Sequence, residues 1–238
     1  MNTRLSVNIN KIALLRNARG SNIPDVLQFA RDCEQFGAQG ITVHPRPDER
    51  HIRRSDVYAL KNVVTTEFNI EGFPTDDFMQ MVLDVRPHQC TLVPDDPAQL
   101  TSDHGWDTQK WQYDLTKKIS DLKNAGIRVS LFIDPVTSML DGAKSCGANR
   151  IEFYTGPYAH NFSANQSAAV APFVEAANYC NQIGLGINAG HDLNLDNLAF
   201  FVKQVPGVLE VSIGHALVRD CLYFGVQNTI ALYRRALS

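Results

Sequence analysis

The sequence predicts one α/β domain, residues 1–238, folded as a (β/α)8 TIM barrel. Three observations predict it. Eight short segments rich in β-branched or aromatic residues recur along the chain, each is followed by a stretch long enough for a helix, and the segments end on polar or titratable residues. In a parallel barrel every strand points the same way, so the strand C-termini converge on one mouth, where function resides.

The first strand is expected over residues 5–10, and the run 24–36 places apolar groups at helical spacing, with Pro24 in its first turn and Gly37 just beyond. A second strand over 40–44 ends at His44 and precedes a helix over 55–64. The third, 68–71, ends at Glu71 before a helix over 75–85. The fourth, 89–94, leads through a long connection, 95–107, to a helix over 108–124. Strand five, 127–134, finishes in Asp134-Pro135, a common N-cap arrangement, before a helix over 136–146. Strand six, 150–155, carries Glu152 and is followed by residues 156–163, either a lid candidate or an ordinary surface loop, then a helix over 164–183. Strand seven, 184–189, and strand eight, 208–214, precede helices over 195–205 and 215–236. Gly37, Gly126, Gly147 and Gly184 read as helix C-caps rather than ligand motifs.

The length of 238 residues is near the roughly 250 typical of one such barrel, and no linker-like stretch divides it. A net charge of -3 argues against nucleic acid as the main partner, since that binding needs a basic excess. Five cysteines without paired metal-ligand spacing suggest reduced thiols in a cytoplasmic protein. The chain carries neither a signal-like start nor an apolar run of about 18 residues, so a soluble, unprocessed protein without a membrane partner is expected. On that reading the sequons at Asn161 and Asn165 stay unmodified.

Several strand ends carry groups suited to chemistry. Alternation puts Asn8 and Asn10 on one strand face, where their amides could hold a carbonyl or hydroxyl, and Arg16 and Arg19 follow as phosphate contacts or surface ion pairs. His44, Arg46, Arg50 and His51 form a dense group after strand two; imidazoles move protons near neutrality, and guanidinium groups neutralise phosphate. Glu71 and Glu152 stand in apolar contexts that raise a carboxyl pKa into a useful range, although an arginine partner is the plain alternative. Asn188-Ala-Gly-His191-Asp192 and Ser212-Ile-Gly214-His215 follow strands seven and eight, where backbone N–H groups and a helix N-terminus form the usual phosphate corner of such barrels. Either Gly-His pair alone could be a tight turn.

Together these segments resemble the pyridoxine 5'-phosphate synthase family of vitamin B6 biosynthesis over nearly the whole chain. The resemblance rests on Val7-Asn-Ile9, Leu15-Arg-Asn-Ala-Arg-Gly20, Gly40-Ile-Thr-Val-His44, Arg46, Arg50-His-Ile52, Asn69-Ile-Glu71, Leu92-Val-Pro94, Val129-Ser-Leu-Phe-Ile-Asp134, Ile151-Glu152, Asn188-Ala-Gly-His191 and Ile213-Gly-His-Ala216, in order. It implies condensation of 1-deoxy-D-xylulose 5-phosphate with 3-amino-2-oxopropyl phosphate to give pyridoxine 5'-phosphate, phosphate and water, without an external cofactor or metal. By that resemblance His44 and Glu71 carry acid/base steps and His191 donates a proton. Asn8, Arg19, Asp192, Gly214 and His215 would bind the amino-ketone phosphate, Asp192 through its backbone N–H. Asn10, Lys11, Arg46, His51 and Thr101 would bind the pentulose phosphate, with Glu152 an additional active-site carboxylate. A homo-octamer built from dimers is implied as well. Many members carry Asp-His where this chain has Asn10-Lys11, so a proton-transfer role for that histidine is not preserved here.

Two other readings of the same residues compete. His44, Glu71, Glu152, His191 and His215 could form a metal site for sugar isomerisation or hydrolysis, and the barrel could bind phosphorylated ligands without turnover.

Overall fold

The computed structural model describes residues 3–95 and 102–238. Its strands are β1 (Arg4–Asn8), β2 (Gly40–Val43), β3 (Glu67–Gly72), β4 (Gln89–Leu92), β5 (Arg128–Ile133), β6 (Arg150–Tyr154), β7 (Gly186–Gly190) and β8 (Val208–Ile213). Each pairs in parallel with the next, and β1 also pairs with β8, closing the (β/α)8 barrel.

Among the described residues eleven helices follow: α1 (Asn10–Asn17), α2 (Val26–Gln35), α3 (Arg54–Leu60), α4 (Asp76–Val85), α5 (Gln112–Asn124), α6 (Thr137–Ser145), α7 (Gly156–Asn161), α8 (Gln166–Ile183), α9 (Leu198–Gln204), α10 (His215–Phe224) and α11 (Val226–Ala236). Side-chain caps start three of them, because the first helical N–H groups lack intrahelical acceptors. Asp25 accepts from Leu27 and Gln28, Thr75 from Phe78, and Asn165 from Ala168. Gly184 ends α8 in the left-handed region. Among the described residues no helix is long and apolar enough to cross a membrane.

Four expectations need correction. Residue 10 begins a helix rather than ending a strand, since Asn8 folds its Oδ1 back onto the Asn10 N–H at 3.1 Å. Residues 156–161, a lid candidate from sequence, form α7, whose Tyr158 is buried and donates its hydroxyl to the Asn197 carbonyl at 2.7 Å. The C-terminal helix is two helices, broken where Gly225 takes φ 72° and ψ 158°. Asp134 does not cap α6; it accepts the Gly105 N–H at 2.9 Å, while Val136 stands at the N-cap.

The apolar core lies between sheet and helices: Leu5, Val7, Ile41, Ile70, Leu131, Ile151, Phe153 and Val211 pack with residues such as Phe29, Leu115, Phe173 and Leu217. The opposite strand face is polar, unlike the Val, Ile and Leu layers usual inside such barrels. Ser6 Oγ lies 2.7 Å from Thr42 Oγ1, Asn69 donates to Thr42 at 3.3 Å, and Thr91 donates to Asn69 at 3.1 Å. Toward the strand N-termini, Arg128 binds Glu67 and donates to Gln89 at 2.9 Å, while Arg150 donates to Asn188 at 3.1 Å. Buried polar groups are costly without partners; Asn8, Thr91 and Asn188 offer one amide or hydroxyl contact each to the carboxyls of Glu71, Glu152 and Glu210 described next, while Glu210 Oε2 has no hydrogen-bond partner among the described residues.

Candidate active site

The C-terminal strand ends bring Asn8, His44 and Glu71 into one linked group. Asn10 Oδ1 accepts the His44 N–H at 2.9 Å, and Asn8 donates through Nδ2 to Glu71 Oε2 at 3.4 Å. The helical start at residue 10 therefore turns its amide onto the His44 backbone, a use that strand alternation could not reveal. The His44 and His51 rings meet edge-on, 6.5 Å between centroids.

His44 is buried, and burial, then the positive charges of Arg46, His51 and Arg50, hold its pKa well below the ordinary histidine value. Glu71 is driven the other way. Burial first, then the carboxylates of Glu152, Asp95 and Glu210, push its pKa well above the ordinary value, against a hydrogen bond with Ser212. The two shifts run in opposite directions at one rim, the separation that suits one group to accept a proton and the other to donate one.

Glu152 is fully enclosed; burial raises its pKa to about 7, while a Thr91 hydrogen bond at 3.5 Å and the nearby His191 pull it down. Below it, Glu210 is 2% exposed and raised to about 8, by burial and then by Glu67. Glu152, Asn188 and Glu210 are partners in register across β6, β7 and β8. Sequence reasoning missed Glu210 and named Ser212 only within the strand-eight phosphate corner, although the alternation of residues 208–213 puts both on one strand face and a charged residue in mid-strand is a signal in itself.

His191 and Asp192 follow β7 with φ of 81° and 61°, a left-handed geometry that costs a non-glycine residue roughly 1–2 kcal/mol. Their side chains are hydrogen-bonded, His191 Nδ1 to Asp192 Oδ2 at 2.9 Å. The Tyr154 ring meets the His191 ring edge-on at 5.3 Å, and the Thr155 hydroxyl donates to the carbonyls of Gly190 and His191. Gly214 precedes α10, whose first residue is His215, so the helix N-terminus with its N–H groups opens beside Asn8: a Cβ on Gly214 would lie 3.2 Å from the Asn8 Cβ.

Arg46 is buried against Asp95 at 2.5 Å, and Ser102 donates to the same carboxylate at 2.7 Å. A cavity of about 400 Å3 opens here, lined by His44, Arg46, Arg54, Phe73, Thr75 and Asp95 among others. His51 is pushed down to about 4 by burial and then by Arg46, Lys11 and Arg50, and its Nδ1 accepts the Ile52 N–H at 2.9 Å. Arg16 takes the ion-pair alternative, buried rather than at the surface: it is bound to Asp56 at 2.6 Å and to the His51 carbonyl at 3.0 Å. Arg19 stands exposed in the turn after α1. Thr101 lies outside the described residues. Among the described residues there is no group of three or more His, Cys, Asp or Glu side chains arranged to hold a metal ion.

Residues 5–238 match the family model described as pyridoxal phosphate biosynthesis protein PdxJ. A pyridoxine 5'-phosphate synthase from Cytophaga hutchinsonii is 59% identical over 235 residues, and one from Bacteroides fragilis 58% over 236, each alignment covering 99% of both chains. Solved structures of low identity share the fold. A 4-hydroxy-2-oxoglutarate aldolase/2-deydro-3-deoxyphosphogluconate aldolase aligns with a TM-score of 0.67 at 14% identity, covering 100% of this chain and 96% of that one. The 3-keto-L-gulonate-6-phosphate decarboxylase of Vibrio cholerae also gives 0.67, at 8% identity and with 100% and 98% covered.

Proposed function

The chain belongs to the PdxJ family of pyridoxal phosphate biosynthesis proteins, and from that premise we propose that this enzyme condenses 1-deoxy-D-xylulose 5-phosphate with 3-amino-2-oxopropyl phosphate. The products are pyridoxine 5'-phosphate, inorganic phosphate and water. The observation that carries the reading is the opposed pKa shifts of His44 and Glu71, joined at one rim through Asn10 and Asn8.

An amine must add to a ketone, water and phosphate must leave, and a carbon–carbon bond must close the ring. Each step moves a proton or expels a leaving group, work that His44 as acceptor, Glu71 as donor and His191 as a second donor share between them. Glu152, near neutrality, serves as an additional acid or base.

Two anionic substrates call for two basic pockets. The Gly214–His215 helix start with Asn8 and the Asp192 N–H suits the amino-ketone phosphate, with Arg19 as a further contact. Arg46, which lines the cavity, with His51 and Lys11 close enough to feel one another's charge, and Asn10 suit the pentulose phosphate, and Thr101 joins them by family likeness. Arg46 would exchange its Asp95 partner for the phosphate or share itself between them.

A homo-octamer assembled from dimers agrees with the family likeness and with the exposed Leu14 and Leu15 of α1 and Leu222, Tyr223 and Phe224 of α10. Five unpaired cysteines, four of them buried, suit the reducing cytoplasm. The test is to incubate the purified protein with both phosphates in the presence of chelator. Formation of pyridoxine 5'-phosphate supports the reading; binding of both compounds without product supports the non-catalytic one.

A further inference from the structure

The side chain of Asp192 does something that a backbone contact to substrate does not require. Its carboxylate lies 2.9 Å from Nδ1 of His191, and the chain holds both residues in the left-handed region, which brings two successive side chains onto one another. Three further contacts fix the same imidazole and its backbone: the Tyr154 ring at its edge, the Thr155 hydroxyl on its carbonyl, and the β7 pairing that ends at Gly190.

We propose that Asp192 is the positioning residue for His191, fixing the proton on Nδ1 so that Nε2 is the nitrogen that exchanges protons with the reacting molecule. An ionised carboxylate can only accept a hydrogen bond, so its partner nitrogen must carry hydrogen. The hydrogen bond from His191 holds the Asp192 pKa below its ordinary value against partial burial, with His215 adding to the effect, so the carboxylate is ionised at neutral pH. With Nδ1 committed in this way the ring has one fixed orientation and one fixed proton, as an orienting carboxylate provides for a catalytic histidine elsewhere.

The inference rests on the proposed role of His191 as a proton donor, and its test separates the two. Asp192→Gly removes the carboxylate at a position whose φ glycine adopts freely, and Asp192→Asn tolerates the same geometry and keeps the side-chain shape while replacing an obligate acceptor with an amide that can also donate. The 15N spectrum of histidine-labelled protein, with the His191 signal identified by its loss in His191→Gln, reports which nitrogen carries the proton. Expected are a Nδ1–H ring in the native protein, and loss of that preference in both Asp192→Gly and Asp192→Asn. In product assays kcat should fall about ten- to a hundredfold in Asp192→Gly and also in the near-isosteric Asp192→Asn, with KM for both phosphates within about twofold in each. An unchanged tautomer, an unchanged kcat, or a defect confined to KM would overturn the role for Asp192. If the native protein forms no product, the functional reading fails, and the spectra alone decide the pairing.

Discussion

Gly190 and Glu152 share one space: a Cβ on residue 190 would lie 2.2 Å from Glu152 Oε1. The glycine at the end of β7 is therefore what lets a buried carboxylate from β6 reach the mouth. Gly190→Ala should displace Glu152 and lower kcat at least tenfold. Overpacking of this kind typically costs about 1–3 kcal/mol, measurable by urea denaturation. Native activity in the alanine variant would show that the position of Glu152 does not matter to the reaction.

Asn10 offers a second test. Its Oδ1 satisfies the His44 N–H, so Asn10→Asp should keep the histidine in place while Asn10→Ala leaves a part-buried donor unpaired, at about 1–3 kcal/mol. Product assays should show Asn10→Asp near native and Asn10→Ala several-fold slower. If both fall alike, the Asn10 amide is needed for substrate rather than for His44.

The Arg46–Asp95 pair is almost fully enclosed. Removing one partner of such a pair leaves the other charge stranded, at about 3–5 kcal/mol. Asp95→Asn should destabilise the protein by that order in denaturant melts, and saturating inorganic phosphate should recover part of the loss by pairing with Arg46. A melt unchanged from native would mean that the carboxylate contributes nothing net.

How much of this was legible in the sequence depended on what each residue's neighbours do. His44, Glu71, Glu152 and His191 were visible because they end strands or stand within them in apolar surroundings, and a parallel barrel gathers its strand ends. The use of Asn10 was hidden, because a local bond from Asn8 starts a helix where alternation continues the strand. Arg16 stayed open between phosphate contact and ion pair, because its partner Asp56 lies forty positions away. Glu210 was passed over because strand eight was read for its end, whereas the polar interior extends its chemistry down the barrel.

That buried carboxyl makes stability depend on pH. The folded pKa of Glu210, about 8, lies above its ordinary value of 4.5, so the folded state holds a proton that the unfolded state has lost. The stability this provides is fully present below about pH 4.5 and is lost as pH rises toward 8. Glu210→Gln should flatten the fall in the urea midpoint between pH 5 and 8.5, by more than the roughly 1.4 kcal/mol that one pKa unit is worth. Parallel curves for the two proteins would place the Glu210 proton elsewhere.

The central claim is that His44 and Glu71 divide the acid and base work of a ring-forming condensation. The most direct measurement is a rapid-quench single turnover of the two phosphates on native protein, His44→Asn and Glu71→Gln, with binding of each substrate measured separately. Native protein should form pyridoxine 5'-phosphate and release phosphate, while both variants bind both substrates and react about 10²- to 10⁴-fold more slowly. Product formed at the native rate by either variant, or no product from native protein with both substrates bound, would contradict the claim.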